Sequence, residues 1–594
     1  MKKSTSTISL TFCYILLFVF LVIYFWDPVE NGDVWWHLAT GRWIIEKGQV
    51  PRSDIFALDQ TGPWILTQWL GSVFYYLFGL LGGCLGLKIL RVILCMLPLV
   101  LVLFHYRRKI PPLGILFLVY LLALSLHTRC MLRPFLLNFT FVPALLILLL
   151  NFRKTGQAKY LIPVPLLGML WNNIHMGSFV YGGVILGCFF VERLVGLLLG
   201  LNRKEKEFLN AARSFKGMGV VLILYMMFFL INPYGLKGAL HPIKVFLLSD
   251  YIHFPHLSTH IKELLPPDYL FTWHGLWVVA LLAGAIAVLI LNKRRNWPLV
   301  IIGLISLVLF IRSQRGSVFF AIMMVFIIGE HWPQDFMSRL GLMLSERKIT
   351  KNVLVGIWVL LLIPGIIHKT RQYTIKDGVA HSILTQTVAY GPQDAVAFLQ
   401  RHRLYGRVFC DDQTGNFLLW CCYPKLKPFI DSRQVDFKTY YGYFEAINDQ
   451  ELFWESGARA HYGLQIALLN SDMPSYRLIP YFIKRRDWQL IYVEGNYMIF
   501  VKKDSFLLPE DVLARPEHWK AAEFEQQDFE RLRVLTTRGP RPAWMRWFHP
   551  SAMYFDLVEE GVGLLDAGLE QEAIKRFIEA MKIDPLTVRE RVSM

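Results

Sequence analysis

The chain has 594 residues, of which 54% are hydrophobic and 18% charged, and its mean hydropathy is +0.40. A soluble protein of this size carries about 25% charged residues, so the composition excludes an ordinary soluble chain. The net charge of +17 would suit nucleic acid, but the basic residues flank apolar runs in short clusters, a pattern that sets membrane topology and attracts anionic lipid instead.

Lys2 and Lys3 precede an apolar run over 8–26 that is long for a signal peptide and ends in Tyr24-Phe25-Trp26-Asp27-Pro28, with no small residues for cleavage; a retained first helix is predicted. Further spans are predicted near 84–105, 112–128, 135–151, 160–174, 177–200, 217–232, 270–291, 297–312, 316–330 and 352–367, about eleven in all. Alternated from a cytoplasmic N-terminus, the inner connections hold Arg107-Arg108-Lys109, Arg153-Lys154, Arg203-Lys204, Lys293-Arg294-Arg295 and Arg347-Lys348, as the positive-inside rule requires. Residues 64–81 are apolar enough to cross and would invert this order. Their aromatic residues and the Gly79 to Gly83 break predict a helix lying in the outer interface, which makes 27–83 one long first outer loop.

From Lys369 the sequence is ordinary globular chain. A helix over 393–402 and strands at 407–410, 427–430, 464–469 and 489–501 predict an extracytoplasmic α/β domain over 369–510. A linker over 511–550 leads to 551–594, which is similar to one tetratricopeptide hairpin and cannot bury its own face alone. The fold expected is an α-helical polytopic membrane module over 1–368, the α/β domain, and this short helical tail, through which a protein partner can dock. Cys410 could pair with Cys421 or Cys422 in an oxidising compartment.

Polar residues gather on the outer side. Asp33 and His37 are four apart and share a helix face if 34–46 is helical, so the pair can act as a general base or hold a divalent metal. The competing reading makes Asp33 a helix cap and Trp35, Trp36 and His37 interfacial side chains. Arg42 and Asp54 follow in the same loop as candidate acceptor or sugar contacts, with a cap or turn as the alternative for Asp54. Lys88 with Arg91, Arg129 with Arg133, and Arg312 with Arg315 place cations near the outer ends of three spans, where they would suit a lipid phosphate; snorkelling is the alternative. Trp171, Asn173 and His175 end one span, and Asn232 and Tyr234 another; these could contact sugar or acceptor, or simply cap and turn the chain. Asp411-Asp412 and Asp431-Ser432-Arg433 follow strands of the α/β domain and can bind ligand or form solvated turns. The sequence contains no Walker loop, nucleophile elbow or HExxH motif.

The pattern Asp33-x-Trp35-Trp36-His37-x-x-x-Gly41-Arg42, then Gly48-x-x-Pro51-x-x-Asp54 with Trp64 and Trp69, resembles the first outer loop of GT-C integral-membrane glycosyltransferases. It looks most like a bacterial multi-span group with a C-terminal α/β domain and tetratricopeptide units. The resemblance implies transfer of a sugar from a polyprenyl-phosphate donor to an envelope glycan, lipid or protein at the outer face of the cytoplasmic membrane. It also implies that Asp33 is the base or metal ligand. The chain departs from the oligosaccharyltransferases in lacking a Trp-Trp-Asp motif in its soluble part, so peptide glycosylation is not implied. A membrane scaffold for envelope assembly and a transporter of lipid-linked glycans remain as alternatives. A transporter, however, should show interrupted helices and a midplane site, whereas these polar residues lie at one edge.

Overall fold

From Lys2 to Thr374 the described chain is almost wholly helical. The computed structural model describes residues 2–506 except 30–31, 59–62, 200–204, 248–262, 264, 268–272, 293, 335–350, 377–378, 381–391, 434, 436, 456–461, 471–472 and 495–496. The expected linker at 511–550 and the tetratricopeptide-like hairpin at 551–594 lie outside the described residues.

The helices are α1 (Lys2–Tyr24), α2 (Asp33–Lys47), α3 (Trp69–Tyr106), α4 (Pro112–His127), α5 (Asn138–Thr155), α6 (Pro163–Ile174), α7 (Met176–Leu198), α8 (Glu205–Phe228), α9 (Leu236–Leu247), α10 (Trp273–Leu291), α11 (Trp297–Arg312), α12 (Ser317–Glu330) and α13 (Lys351–Thr374). A helix covers each segment read as a span. By length and composition, three stretches suffice to cross a membrane: Trp69–Tyr106, Pro134–Thr155 and Met176–Leu198. Leu10–Tyr24, Pro112–His127, Gly275–Leu291, Trp297–Arg312 and Trp358–Ile367 are apolar but shorter; the 16 residues of α4 reach about 24 Å at 1.5 Å each, against a core of about 30 Å. The expected count of about eleven crossings is therefore not supported.

Sequence explains several details of the bundle. Helix α4 opens on Pro112, whose fixed φ suits a first helical position. Helix α12 is buried on every side from Ser317 to Gly329, as an all-round apolar helix must be. Helix α3 breaks at Gly82 and Gly83, where Gly83 takes φ +54°, a conformation open to glycine. The limb before the break, Trp69 to Leu81, falls in the segment read from sequence as the first outer loop, and the limb after it contains the expected span. Gly41 lets α2 lie close on the first limb, since a Cβ there would meet the Ser72 carbonyl at 2.3 Å. The last apolar helix runs beyond its expected end near 367, to Thr374, which moves the start of the α/β domain by a few residues.

The domain is built on strands β3 (Gly406–Phe409), β4 (Leu426–Pro428), β5 (Ile466–Asn470), β6 (Trp488–Glu494) and β7 (Tyr497–Lys502), after a two-residue pair, β1 (Ile375–Lys376) and β2 (Val379–Ala380). The sheet order is β4-β3-β5-β7-β6. Strand β3 runs parallel to β4 and β5, whereas β7 is antiparallel to β5 and β6. The segment expected as one strand over 489–501 is therefore two paired strands; Gly495-Asn496 between them is a turn signal in the sequence. Helix α14 (Gln393–Arg401) precedes β3, and α15 (Asp412–Cys421) connects β3 to β4.

Apolar clusters cover both faces of the sheet. A further one joins the first outer loop to the domain: Trp36, Ala39, Ile44, Phe56, Trp64 and Leu66 pack with Leu419, Trp420 and Tyr423. The cysteines are free thiols, so the expected Cys410 pairing does not occur; Cys410 is fully buried, and Cys421 and Cys422 have their sulfurs 3.1 Å apart.

Candidate active site

Asp33 opens α2, where the helix dipole favours a carboxylate. Its Oδ2 makes an ion pair with Arg133 Nε at 2.8 Å, a Coulombic contact whose N–H is not aligned for a hydrogen bond. Its Oδ1 accepts a hydrogen bond from Ser432 Oγ of the α/β domain. Arg133 is extended, as a residue before proline tends to be, and its carbonyl accepts from Tyr75 Oη at 2.8 Å.

Arginines continue away from Asp33 through one carboxylate. Glu263 Oε1 lies 2.7 Å from Arg133 Nη1 and 3.2 Å from Arg129 Nη1, and its Oε2 lies 3.3 Å from Arg315 Nε. Burial opposes ionisation of Glu263, but the charges of Arg133, Arg129 and Arg315 outweigh it and bring the carboxyl down to about 2. Asp33, Arg133, Glu263, Arg129 and Arg315 thus form a continuous chain of alternating charge, with three cations to two carboxylates.

The domain closes the other side with the loops at the carboxyl ends of its parallel strands, the usual ligand edge of such sheets. After β3, Asp411 caps α15 by accepting from Thr414 N at 2.9 Å and Thr414 Oγ1 at 2.8 Å. Asp412 follows it; burial, with the carboxylates of Asp411 and Asp33 beside it, pushes this group up to about 7. Gln413 Oε1 accepts from Gly32 N at 2.9 Å. After β4 come Asp431, Ser432 and Arg433. Asn416 Nδ2 donates to Ser432 Oγ, and Asn416 Oδ1 accepts from Ser432 N at 3.1 Å, so Ser432 is held from both ends.

Arg433 fixes this edge against the first outer loop. Its side chain, 2% exposed, pairs with Asp54 at 2.5 Å and Asp431 at 2.7 Å, and its guanidinium lies over Phe56 and Trp64. Arg42 docks in a similar way, donating to the Trp420 carbonyl at 3.0 Å and lying over that ring. Arg42 and Asp54, read from sequence as sugar or acceptor contacts, therefore hold loop and domain together.

Other expected site residues also serve the scaffold. His37 is buried; its Nδ1 meets Ser72 Oγ at 2.9 Å and its ring packs on Trp36. Burial, then the charges of Arg133 and His175, hold it well below the ordinary imidazole range, and its contact with Ser72 ties α2 to α3. Trp171 is fully buried and donates to Asn138 Oδ1 at 2.5 Å, which leaves no face for a sugar. Asn173 accepts from Trp69 Nε1 at 2.9 Å and donates to the Ile231 carbonyl at 2.8 Å. His175 meets Ser178 Oγ at 2.8 Å. Asn232 closes its own turn through Tyr234 N and the Gly235 carbonyl, and Tyr234 Oη links the Leu66 amide to the Pro51 carbonyl.

The expected cations divide into separate groups. Arg129, Arg133 and Arg315 share Glu263, while Arg312, three residues from Arg315, ends α11 exposed. Lys88 and Arg91 instead flank the exit of α1: Arg91 donates to the Phe25 and Pro28 carbonyls at 3.2 Å, and Lys88 Nζ lies over Trp26. There Asp27 meets His127 Nε2 and Lys369 Nζ, each at 3.0 Å, joining α1, α4 and α13.

The sequence reading missed Glu263, and it singled out the Asp431-Ser432-Arg433 run for its acid and not for the Ser432 hydroxyl. Glu263 is an acid in the long connection between α9 and α10, and that position was its available signal. Among the described residues no three His, Cys, Asp or Glu side chains converge as a metal site, and both Asp33 oxygens engage protein groups. The described donor set as arranged does not fit a divalent cation.

No family model matches the sequence, and no curated protein matches it. The chain is similar to the solved Archaeoglobus fulgidus oligosaccharyltransferase in its apo form, with TM-score 0.50, 12% identity, and 78% of this chain and 70% of that one covered. The same enzyme tethered to an acceptor peptide containing the NVT sequon gives TM-score 0.50 and 12% identity over 78% and 69%. The mycobacterial arabinofuranosyltransferase AftD is more distant, at TM-score 0.45 and 11% identity over 83% of this chain and 41% of that one. At such identity the likeness to the oligosaccharyltransferase shows the fold alone.

Proposed function

We propose that this chain is a membrane glycosyltransferase that moves a sugar from a polyprenyl-phosphate donor to an envelope glycan, lipid or protein at the outer face of a bacterial cytoplasmic membrane. The observation that carries the reading is Asp33, a carboxylate held between Arg133 of the helical module and Ser432 of the α/β domain, with the Glu263-linked arginines behind it. An acceptor hydroxyl directed at Asp33 would be oriented by a hydrogen bond to its carboxylate. The leaving lipid phosphate would meet Arg133, Arg129 and Arg315, whose fixed charges stabilise negative charge as it develops. A carboxylate beside arginines suits a lipid-phosphate donor, whose phosphate the arginines can pair with. The extracytoplasmic position of the domain belongs to this proposal.

The test is transfer of labelled sugar from polyprenyl-phosphate donors in membrane vesicles. Asp33→Asn should abolish transfer while the protein stays in the membrane, and lipid-linked sugar should accumulate in cells that carry only this variant. Deletion of 551–594 should spare transfer. A scaffold gives the reverse: full function in Asp33→Asn and loss on deletion of the tail.

A further inference from the structure

Asp33 is poorly placed to carry off a proton, because each of its oxygens is already engaged, Oδ1 by Ser432 and Oδ2 by Arg133. The α/β domain brings a second carboxylate to the same place. Gln413 accepts from Gly32, and Ser432 donates to Asp33. These contacts clamp the first turn of α15 against the first turn of α2, with Asp412 and Asp33 as the flanking residues. Asp412 enters no ion pair among the described residues. We propose that Asp412 is the catalytic base of the transfer and that Asp33, fixed by Ser432 and Arg133, orients the acceptor beside it. The inference rests on the glycosyltransferase reading and adds to it that the soluble domain supplies half of the active site.

The step balances without an added reagent. The acceptor oxygen bonds to the anomeric carbon as the bond from that carbon to the lipid-phosphate oxygen breaks. The phosphate leaves with the bonding pair toward the arginines, and the hydroxyl proton passes to an Asp412 oxygen.

The surroundings suit that role. Asp411, Asp33 and Asp431 act on Asp412 through their charge; Arg133 from the helical module, Tyr443 and Cys410 also feel its charge. Burial and the neighbouring carboxylates push Asp412 up to about 7, so near neutrality it can both accept a proton and return it to water. Two carboxylates in unlike settings, one engaged by arginine and serine and one desolvated, divide orientation from proton transfer.

The experiment is the pH profile of sugar transfer in vesicles containing the full chain. Wild-type kcat should fall on the acid side, around pH 7. Asp412→Asn should lower kcat about 10²–10⁴-fold with little change in KM and should lose that acid limb. Asp412→Glu should keep the limb and part of the rate. Asp412→Asn with wild-type rate, or with the limb intact, overturns the inference; so does a loss in both variants that follows reduced thermal stability while the limb persists. If wild type transfers no sugar from any polyprenyl-phosphate donor, the glycosyltransferase reading fails and this inference with it. Wild-type turnover with an unaffected Asp412→Asn variant removes this inference alone.

Discussion

Arg433→Met should detach the α/β domain from the first outer loop. The guanidinium is 2% exposed and pairs with Asp54, 4% exposed, and Asp431, 12% exposed. Methionine keeps much of the volume, and therefore the packing on Phe56 and Trp64, but leaves two buried carboxylates facing each other. Breaking a buried pair from one side costs about 3–5 kcal/mol. For a unit of 150–250 residues that is a fall of roughly 6–20 °C in the melting temperature. The assay is thermal unfolding of the purified protein in detergent, followed by tryptophan fluorescence, with protease cleavage between helical module and domain as a second reading. Adding Asp54→Asn and Asp431→Asn to Arg433→Met should restore much of the stability, because the charges stranded by the first change are then neutral. Ser432 adjoins Arg433, so the single variant should also lose transfer activity. An Arg433→Met protein that melts within about 1 °C of wild type and resists protease equally would refute the triad as a clamp.

The Glu263 carboxyl is depressed to about 2 from an ordinary 4.5. Its contribution to stability is therefore present above about pH 4.5 and lost as the pH falls toward 2. Glu263→Gln should flatten the melting profile over that window and lower stability at neutral pH, where Arg129, Arg133 and Arg315 are left to repel one another; an unchanged acid profile would contradict this. Trp171→Phe should cost about 1–3 kcal/mol by stranding Asn138 Oδ1, with no change in KM for donor or acceptor, and a KM effect without lost stability would restore Trp171 as a sugar platform. Gly41→Ala forces a Cβ to within 2.3 Å of the Ser72 carbonyl and should cost about 1–3 kcal/mol by pushing α2 off α3; a neutral result in the melting temperature would contradict that close approach.

The helices were legible because apolar runs and basic flanks follow bilayer energetics directly, and the Gly82-Gly83 break was legible because glycine marks it. The count of crossings was not, since a run such as that of α4 is apolar yet short. Within the site, Asp33, Arg129, Arg133 and Arg315 could be singled out, as charge at the end of a span is costly and needs a reason. Their division into groups could not, because it depends on Glu263 and Asp27, single acids with no motif around them. Trp171, Asn173, His175, Asn232 and Tyr234 were open to capping or to ligand contact; His175 caps α7 and Asn232 closes its turn, while Trp171, Asn173 and Tyr234 tie separate elements together. The role of Ser432 was hidden for another reason: it acts through a partner 399 residues away, a separation that no local pattern reveals.

The junction of loop and domain is tested most directly by a pair of engineered cysteines, Asp33→Cys with Ser432→Cys, in a chain whose eight native cysteines are replaced by serine or alanine. In vesicles under mild oxidant the two should join in high yield, each single variant should not cross-link within the chain, and reduction should release the bond. Failure of the double variant to cross-link, while both thiols react with a membrane-impermeant reagent from the same side, would contradict a site shared by the first outer loop and the α/β domain.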